Sequence, residues 1–88
     1  MSGPPRKRSL SLRGHRTSVS LEDPFWTEFR RIAAAEGRAL NALAAEIDAG
    51  RAPEVGLASA IRVFVLERIV AERDQPSSAS AGNVSRSQ

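Results

Sequence analysis

The chain has 88 residues, with 13 Lys plus Arg against 10 acids, one His and no Cys. That length limits it to one small domain and excludes most stand-alone enzyme folds, which need more chain to close a pocket. Without cysteine there is no disulfide scaffold, thiol nucleophile or thiolate zinc site, and a single His cannot build a multi-His metal centre.

The charge is unevenly placed. Residues 1–21 contain Arg6, Lys7, Arg8, Arg13 and Arg16 and no acid, a local +5, whereas residues 22–88 hold 8 cations and 10 anions, a local −2. All the cations but Lys7 are Arg, so the positive charge persists at any working pH. A basic segment on a slightly acidic body points to a polyanionic partner. The most apolar run, 58–71, is interrupted by Arg62, Glu67 and Arg68 and is too short and too charged to span a bilayer. A soluble intracellular protein with no membrane partner is therefore expected.

Residues 1–8 are Gly, Pro and basic and read as a disordered basic arm. From Ser9 to Leu21 the period is two. Leu10 and Leu12 alternate with Ser9 and Ser11, and Thr17, Val19 and Leu21 alternate with Arg16, Ser18 and Ser20. The two halves have opposite parity, so Gly14 must break the register, by a bulge or by a turn. A turn at Gly14-His15 is preferred. It pairs Arg13 with Arg16, Leu12 with Thr17 and Leu10 with Val19, with all apolar side chains on one face and all Ser and Arg on the other. Ser9 and Ser11 extend the polar face.

Asp23 reads as an N-cap with Pro24 in the first helical position, and the acids suit a positive helix end. Phe25, Phe29, Ile32 and Ala33 follow helical spacing with Trp26 beside them, and Gly37 ends this helix. The aromatics read as core rather than as a base-stacking platform. A second helix is expected over 40–49, with Leu40, Leu43, Ala44 and Ile47 on one face. A third is expected over 57–72, striped by Leu57, Ile61, Phe64, Val65 and Ile69, while Val63 and Leu66 make it apolar on more than one side. Residues 75–88, opened by Gln75-Pro76 and rich in Ser, read as a disordered tail. The domain is thus placed at 9–74, mainly α with a short N-terminal β ribbon and three helices. So small a core, and a hairpin that is marginal by itself, favour a homodimer about a twofold axis.

No chemistry-bearing constellation stands out. His15 sits at the turn with no nucleophile near it, and Glu46 and Asp48 are two apart, so they cannot face each other on one helix. No enzyme, no metal and no cofactor is expected.

The stretches Arg8-Ser9-Leu10, Gly14, Thr17-Ser18-Val19, Leu21-Glu22, Phe25-Trp26 and Ser59 to Phe64 resemble the bacterial ribbon-helix-helix DNA-binding proteins, the Arc and Met repressor class, over about residues 8–70. The resemblance implies a dimer whose paired strands enter the DNA major groove, acting in transcription regulation and therefore cytoplasmic and nucleoid-associated. It implies base reading by Arg16, Ser18 and Ser20, with Arg13 beside them. The start of the second helix is implied to bind a phosphate through Arg38 and Asn41, with Arg6, Lys7 and Arg8 gripping the backbone as a basic N-terminal arm. Two serines among the three outward positions depart from the longer polar side chains common in the family. The alternative is an antitoxin-like interaction module whose third helix covers a protein partner.

Overall fold

Alternation across 9–21 does fold as a hairpin, and it sits on three helices. The computed structural model describes residues 3–74. In chain order it contains β1 (Arg6–Leu12), β2 (His15–Leu21), α1 (Asp23–Ala35), α2 (Leu40–Gly50) and α3 (Leu57–Asp74). The Ser-rich segment 75–88 lies outside the described residues. The ribbon starts at Arg6, so Arg6, Lys7 and Arg8, expected in an unstructured arm, are strand residues.

The turn is at Arg13-Gly14 rather than Gly14-His15. Both residues have positive φ, 53° and 83°, as a type I′ turn requires. The antiparallel register is Arg6↔Leu21, Lys7↔Ser20, Arg8↔Val19, Ser9↔Ser18, Leu10↔Thr17, Ser11↔Arg16 and Leu12↔His15. It differs by two residues from the expected pairing. A slip of two leaves every side chain on its own face, so the apolar-in, polar-out pattern survives. The energetic difference lies in charge and twist. The expected register set Arg13 directly opposite Arg16, and like charges facing each other destabilise a pair. The observed one moves Arg13 into the turn and sets Arg16 against Ser11. A type I′ turn also matches the right-handed twist of the flanking strands.

Glu22, one residue earlier than Asp23, caps α1, and its side chain makes no capping bond. Pro24 is tolerated in the first turn because its missing N–H has no helical partner there. At the other end Gly37, with φ 66°, closes a Schellman motif. Its N–H donates to the Ala34 carbonyl at 3.0 Å, and the Arg38 N–H donates to the Ala33 carbonyl at 2.9 Å. This stop turns the chain so that α2 starts beside the ribbon.

The core joins all five elements. Leu10, Val19 and Leu21 from the ribbon's inner face meet Phe29, Ile32 and Ala33 of α1, Leu43 and Ala44 of α2, and Ile61 and Val65 of α3. Phe29 meets the Phe64 ring edge-on, with centroids 6.3 Å apart. β1 packs on α2 and β2 on α3, so the hairpin is held by helices on both sides. Arg31 spans from α1 to Glu72 of α3 at 3.0 Å, and Arg68 of α3 pairs with Glu36 while lying over the Phe64 ring. Of the all-round apolar residues of α3, Ile61 and Val65 are buried, while Val63 and Leu66 remain 53% and 58% exposed. None of the helices among the described residues is long and apolar enough to cross a membrane.

Candidate nucleic-acid interface

One face of the ribbon points away from the helices. Register and alternation put Lys7, Ser9 and Ser11 of β1 on that face with Arg16, Ser18 and Ser20 of β2. All six are exposed. The cross-strand pairs are Lys7↔Ser20, Ser9↔Ser18 and Ser11↔Arg16, so a basic residue stands at each end of the face with four serines between them. Arg13 is exposed at the tip. Lys7 shares the parity of Ser9 and Ser11, and that parity was the available sign that it belongs to this face.

Ion pairing divides the cations sharply. Among the described residues Lys7, Arg13, Arg16 and Arg30 take part in no salt bridge, whereas Arg6, Arg8, Arg31, Arg38, Arg51, Arg62, Arg68 and Arg73 all do. Three of the four unpaired cations are therefore on the ribbon's outer face or its tip. The surface has a concentrated positive charge there because the acids of the chain are held elsewhere.

Arg8 and Arg6, expected to grip phosphates as part of an arm, pair with Asp23 of α1. Both have the parity of Leu10 and Leu12, so they project towards α1, not outward. The Arg8 guanidinium pairs with Asp23 and lies 5.4 Å from the centroid of Trp26, with its side chain only 17% exposed. A guanidinium over an indole face is attracted by the ring quadrupole, and the neighbouring carboxylate offsets part of the cost of burial, while Arg8 Nε is buried without a hydrogen-bond partner. Arg6 adds a longer contact with the same carboxylate, 3.7 Å. Trp26 is thus a packing partner for the ribbon. Parity could have revealed the direction of Arg8, but nothing local in the sequence indicates Trp26 as its seat.

The start of α2 is likewise committed in part. Arg38 is held bidentately by Glu46, both nitrogens 2.9 Å from the carboxylate oxygens. Asn41 Oδ1 accepts the backbone N–H of Ser11 at 3.1 Å, tying α2 to the outer edge of β1. No side chain caps the helix, whose first satisfied amide is Leu43 N–H to the Ala39 carbonyl. The amides of Leu40, Asn41 and Ala42 therefore have no intrahelical acceptor, as at any helix start.

Arg62 of α3 reaches over to the ribbon. It donates to the Glu22 carboxylate at 3.0 Å and to the Ser20 carbonyl at 3.2 Å, and lies 5.8 Å from the Phe25 centroid. Hydrogen bonding to its own backbone holds the Glu22 carboxyl below the usual range; partial burial opposes this, and the Arg62 bond adds to it. The Arg38 guanidinium likewise holds Glu46 low. Both folded values lie below the unfolded one, so each contact stabilises the fold above the ordinary glutamate value of 4.5 and is lost as pH falls through the depressed value. A carboxyl-carbon NMR titration should give midpoints below 4.5 for Glu22 and Glu46. Arg38→Gln should raise the Glu46 midpoint and leave that of Glu22 in place. Ordinary midpoints for both would mean that these ion pairs do not persist in solution.

A family model for a ribbon-helix-helix domain matches residues 5–69. Neither the curated proteins nor the solved structures contain a match.

Proposed function

The chain belongs to the ribbon-helix-helix domain family, and from that premise we propose that it is a duplex DNA-binding regulator acting as a homodimer. The observation that carries the proposal is the concentration of unpaired cations, Lys7, Arg13 and Arg16, on one serine-lined ribbon face and its tip. A two-stranded ribbon fits the major groove, where each base pair presents its own pattern of donors and acceptors. Short serine side chains let the backbone of the ribbon come close to the base edges. Ser18 and Ser20 bond to several bases and add little discrimination. Arg16 supplies it, because a guanidinium can grip O6 and N7 of guanine together. Arg13 at the tip and Lys7 at the far end lie where the groove walls carry phosphates.

The start of α2 takes a phosphate through its free amides and the outward side of the Asn41 carboxamide. Arg38 remains with Glu46 in this arrangement, and Arg8 keeps the ribbon on α1. The Ser11–Asn41 bond gives base reading and phosphate binding a common rigid frame. Occupancy of the groove is the whole mechanism: binding excludes or organises other proteins, and no bond is made or broken.

Arg16→Ala tests the assignment. A good bidentate contact is worth about 1–3 kcal/mol and a dimer loses two of them, so affinity for a selected duplex should fall about 30- to 25,000-fold. Selection from a random duplex library should show relaxed preference at one position of each half-site. The oligomeric state by light scattering should not change. If Arg16→Ala combined with Ser18→Ala and Ser20→Ala leaves affinity and preference as they were, the ribbon face is not the reading surface.

A further inference from the structure

The two edges of the hairpin differ. In an antiparallel strand the N–H and C=O of one residue point to the same side. The Ser11 N–H points outward to Asn41, and the Ser20 carbonyl points outward to Arg62. With the observed register, these two contacts give one consistent phase. Leu10↔Thr17 and Leu12↔His15 exchange the hairpin's own hydrogen bonds. Arg16, Ser18 and Ser20 turn their backbone groups to the outer edge of β2. Asn41 covers the β1 edge at Ser11. On the β2 edge, the only group with a partner among the described residues is the Ser20 carbonyl, held by Arg62.

An edge strand with unpaired donors and acceptors is a template for another strand. A second copy of the same edge, turned about a twofold axis, complements it group for group.

We propose that Arg62 sets the register in which a second copy pairs with β2, centring the twofold on Thr17. The inference rests on the homodimeric reading above and specifies its geometry. Every centre on a β2 residue keeps polar side chains on the outer face, and those from Arg16 to Val19, near the strand's middle, keep the most pairs. Centring on Arg16 puts Arg16 directly opposite its own copy, and like charges there repel. Centring on Ser18 or Val19 pairs Arg16 or Ser18 with the second copy's Ser20, so an N–H of one chain must approach the Ser20 carbonyl of the other. The Arg62 guanidinium occupies that approach, anchored by Glu22 and seated over Phe25. Centring on Thr17 pairs Arg16 with Ser18 of the second copy and leaves Ser20 to Arg62. The sheet then has four strands, with β2 and its copy in the middle and β1 at each margin.

Register decides where the reading arginines stand. At about 3.4 Å per residue, the two copies of Arg16 are offset along the strands by about 7 Å when the centre is Thr17 and by about 14 Å when it is Ser18. Half-site spacing on DNA follows that offset.

The chain lacks cysteine, so single substitutions report the register directly. Residues paired across a twofold have Cα atoms about 4.5–5.5 Å apart, within disulfide reach, whereas residues one register step away are beyond about 7 Å. The full-length Thr17→Cys protein should form a crosslinked dimer on mild oxidation, and Ser18→Cys should not. Adding Arg62→Ala should transfer crosslinking to Ser18→Cys. Arg62→Gln keeps part of the stem over Phe25 and serves as the second variant, with circular dichroism confirming the fold. Crosslinking of Ser18→Cys with Arg62 present, or a pattern that neither Arg62 variant changes, would overturn the register assignment while leaving the dimer standing. A chain that light scattering finds monomeric at all concentrations overturns the assignment and the homodimer together.

Discussion

Phe29→Ala should cost about 3–5 kcal/mol of folding stability, the largest effect of any single truncation in the chain. The ring is fully buried, tilted against Trp26 at 6.3 Å and edge-on to Phe64 at 6.3 Å. Removing it deletes apolar burial, two aromatic contacts and the filler between α1 and α3. The contacts themselves contribute about 0.5–1.5 kcal/mol beyond area burial. A small domain has a net stability of only about 5–15 kcal/mol, and short chains lie near the lower end. The variant should therefore be largely unfolded or should melt far below the parent, as read by urea titration with far-ultraviolet circular dichroism. DNA binding should fall with the folded fraction. Phe29→Leu should keep most of the volume and cost clearly less. A loss under about 1 kcal/mol for the alanine variant would mean that the α1–α3 contact is not part of the core.

Salt should weaken duplex binding steeply, with a slope that counts the free cations. Lys7, Arg13 and Arg16 are unpaired in each chain, which makes six per dimer. Each released counterion contributes about 0.9 to the slope, so log affinity against log salt should run near −5. Between 50 and 200 mM salt the loss is about a thousandfold. An arm that gripped phosphates with Arg6 and Arg8 as well would steepen the slope towards about −9. The structure opposes that larger value, because those two guanidinium groups face Asp23, and Arg8 also lies over Trp26. Lys7→Ala should flatten the slope by about 2 for the dimer, and Arg8→Ala should leave it alone. A slope near −9 would mean that the ribbon releases Arg6 and Arg8 on binding DNA. A slope near zero would remove the ribbon face from the interface.

Much of the fold was legible because its signals are local. Parity inversion around Gly14 announced a hairpin, and Pro24 and Gly37 marked the ends of α1. The three helices lie within two residues of their expected bounds. Turn position was not legible in the same way. Slipping the hairpin by two residues preserves each side chain's face, so pattern matching cannot separate the two registers. Opposition of Arg13 and Arg16 in one of them was the sign available. For the candidate site, the outward direction of Arg16, Ser18 and Ser20 followed from alternation alone. The direction of Arg8 did too, but its basic neighbours Arg6 and Lys7 made the segment resemble an arm. Arg38 and Asn41 were placed at the start of the second helix, where they are found, yet their partners Glu46 and Ser11 were not foreseen.

By itself, the sequence determined which face each ribbon residue presents and the order of the elements. Period, turn residues and helix stops act over a few residues, so no distant contact is needed to read them. Only the tertiary structure decided which of the cations among the described residues are free to meet a polyanion. Arg62 finds Glu22 from 40 positions away and Arg31 finds Glu72 from 41. Ion pairing depends on distance in space, and that distance is set by how α3 packs back on α1 and β2. The basic segment seen as a local +5 thus becomes three free charges on the ribbon's outer face and tip, because folding pairs Arg6 and Arg8 with Asp23.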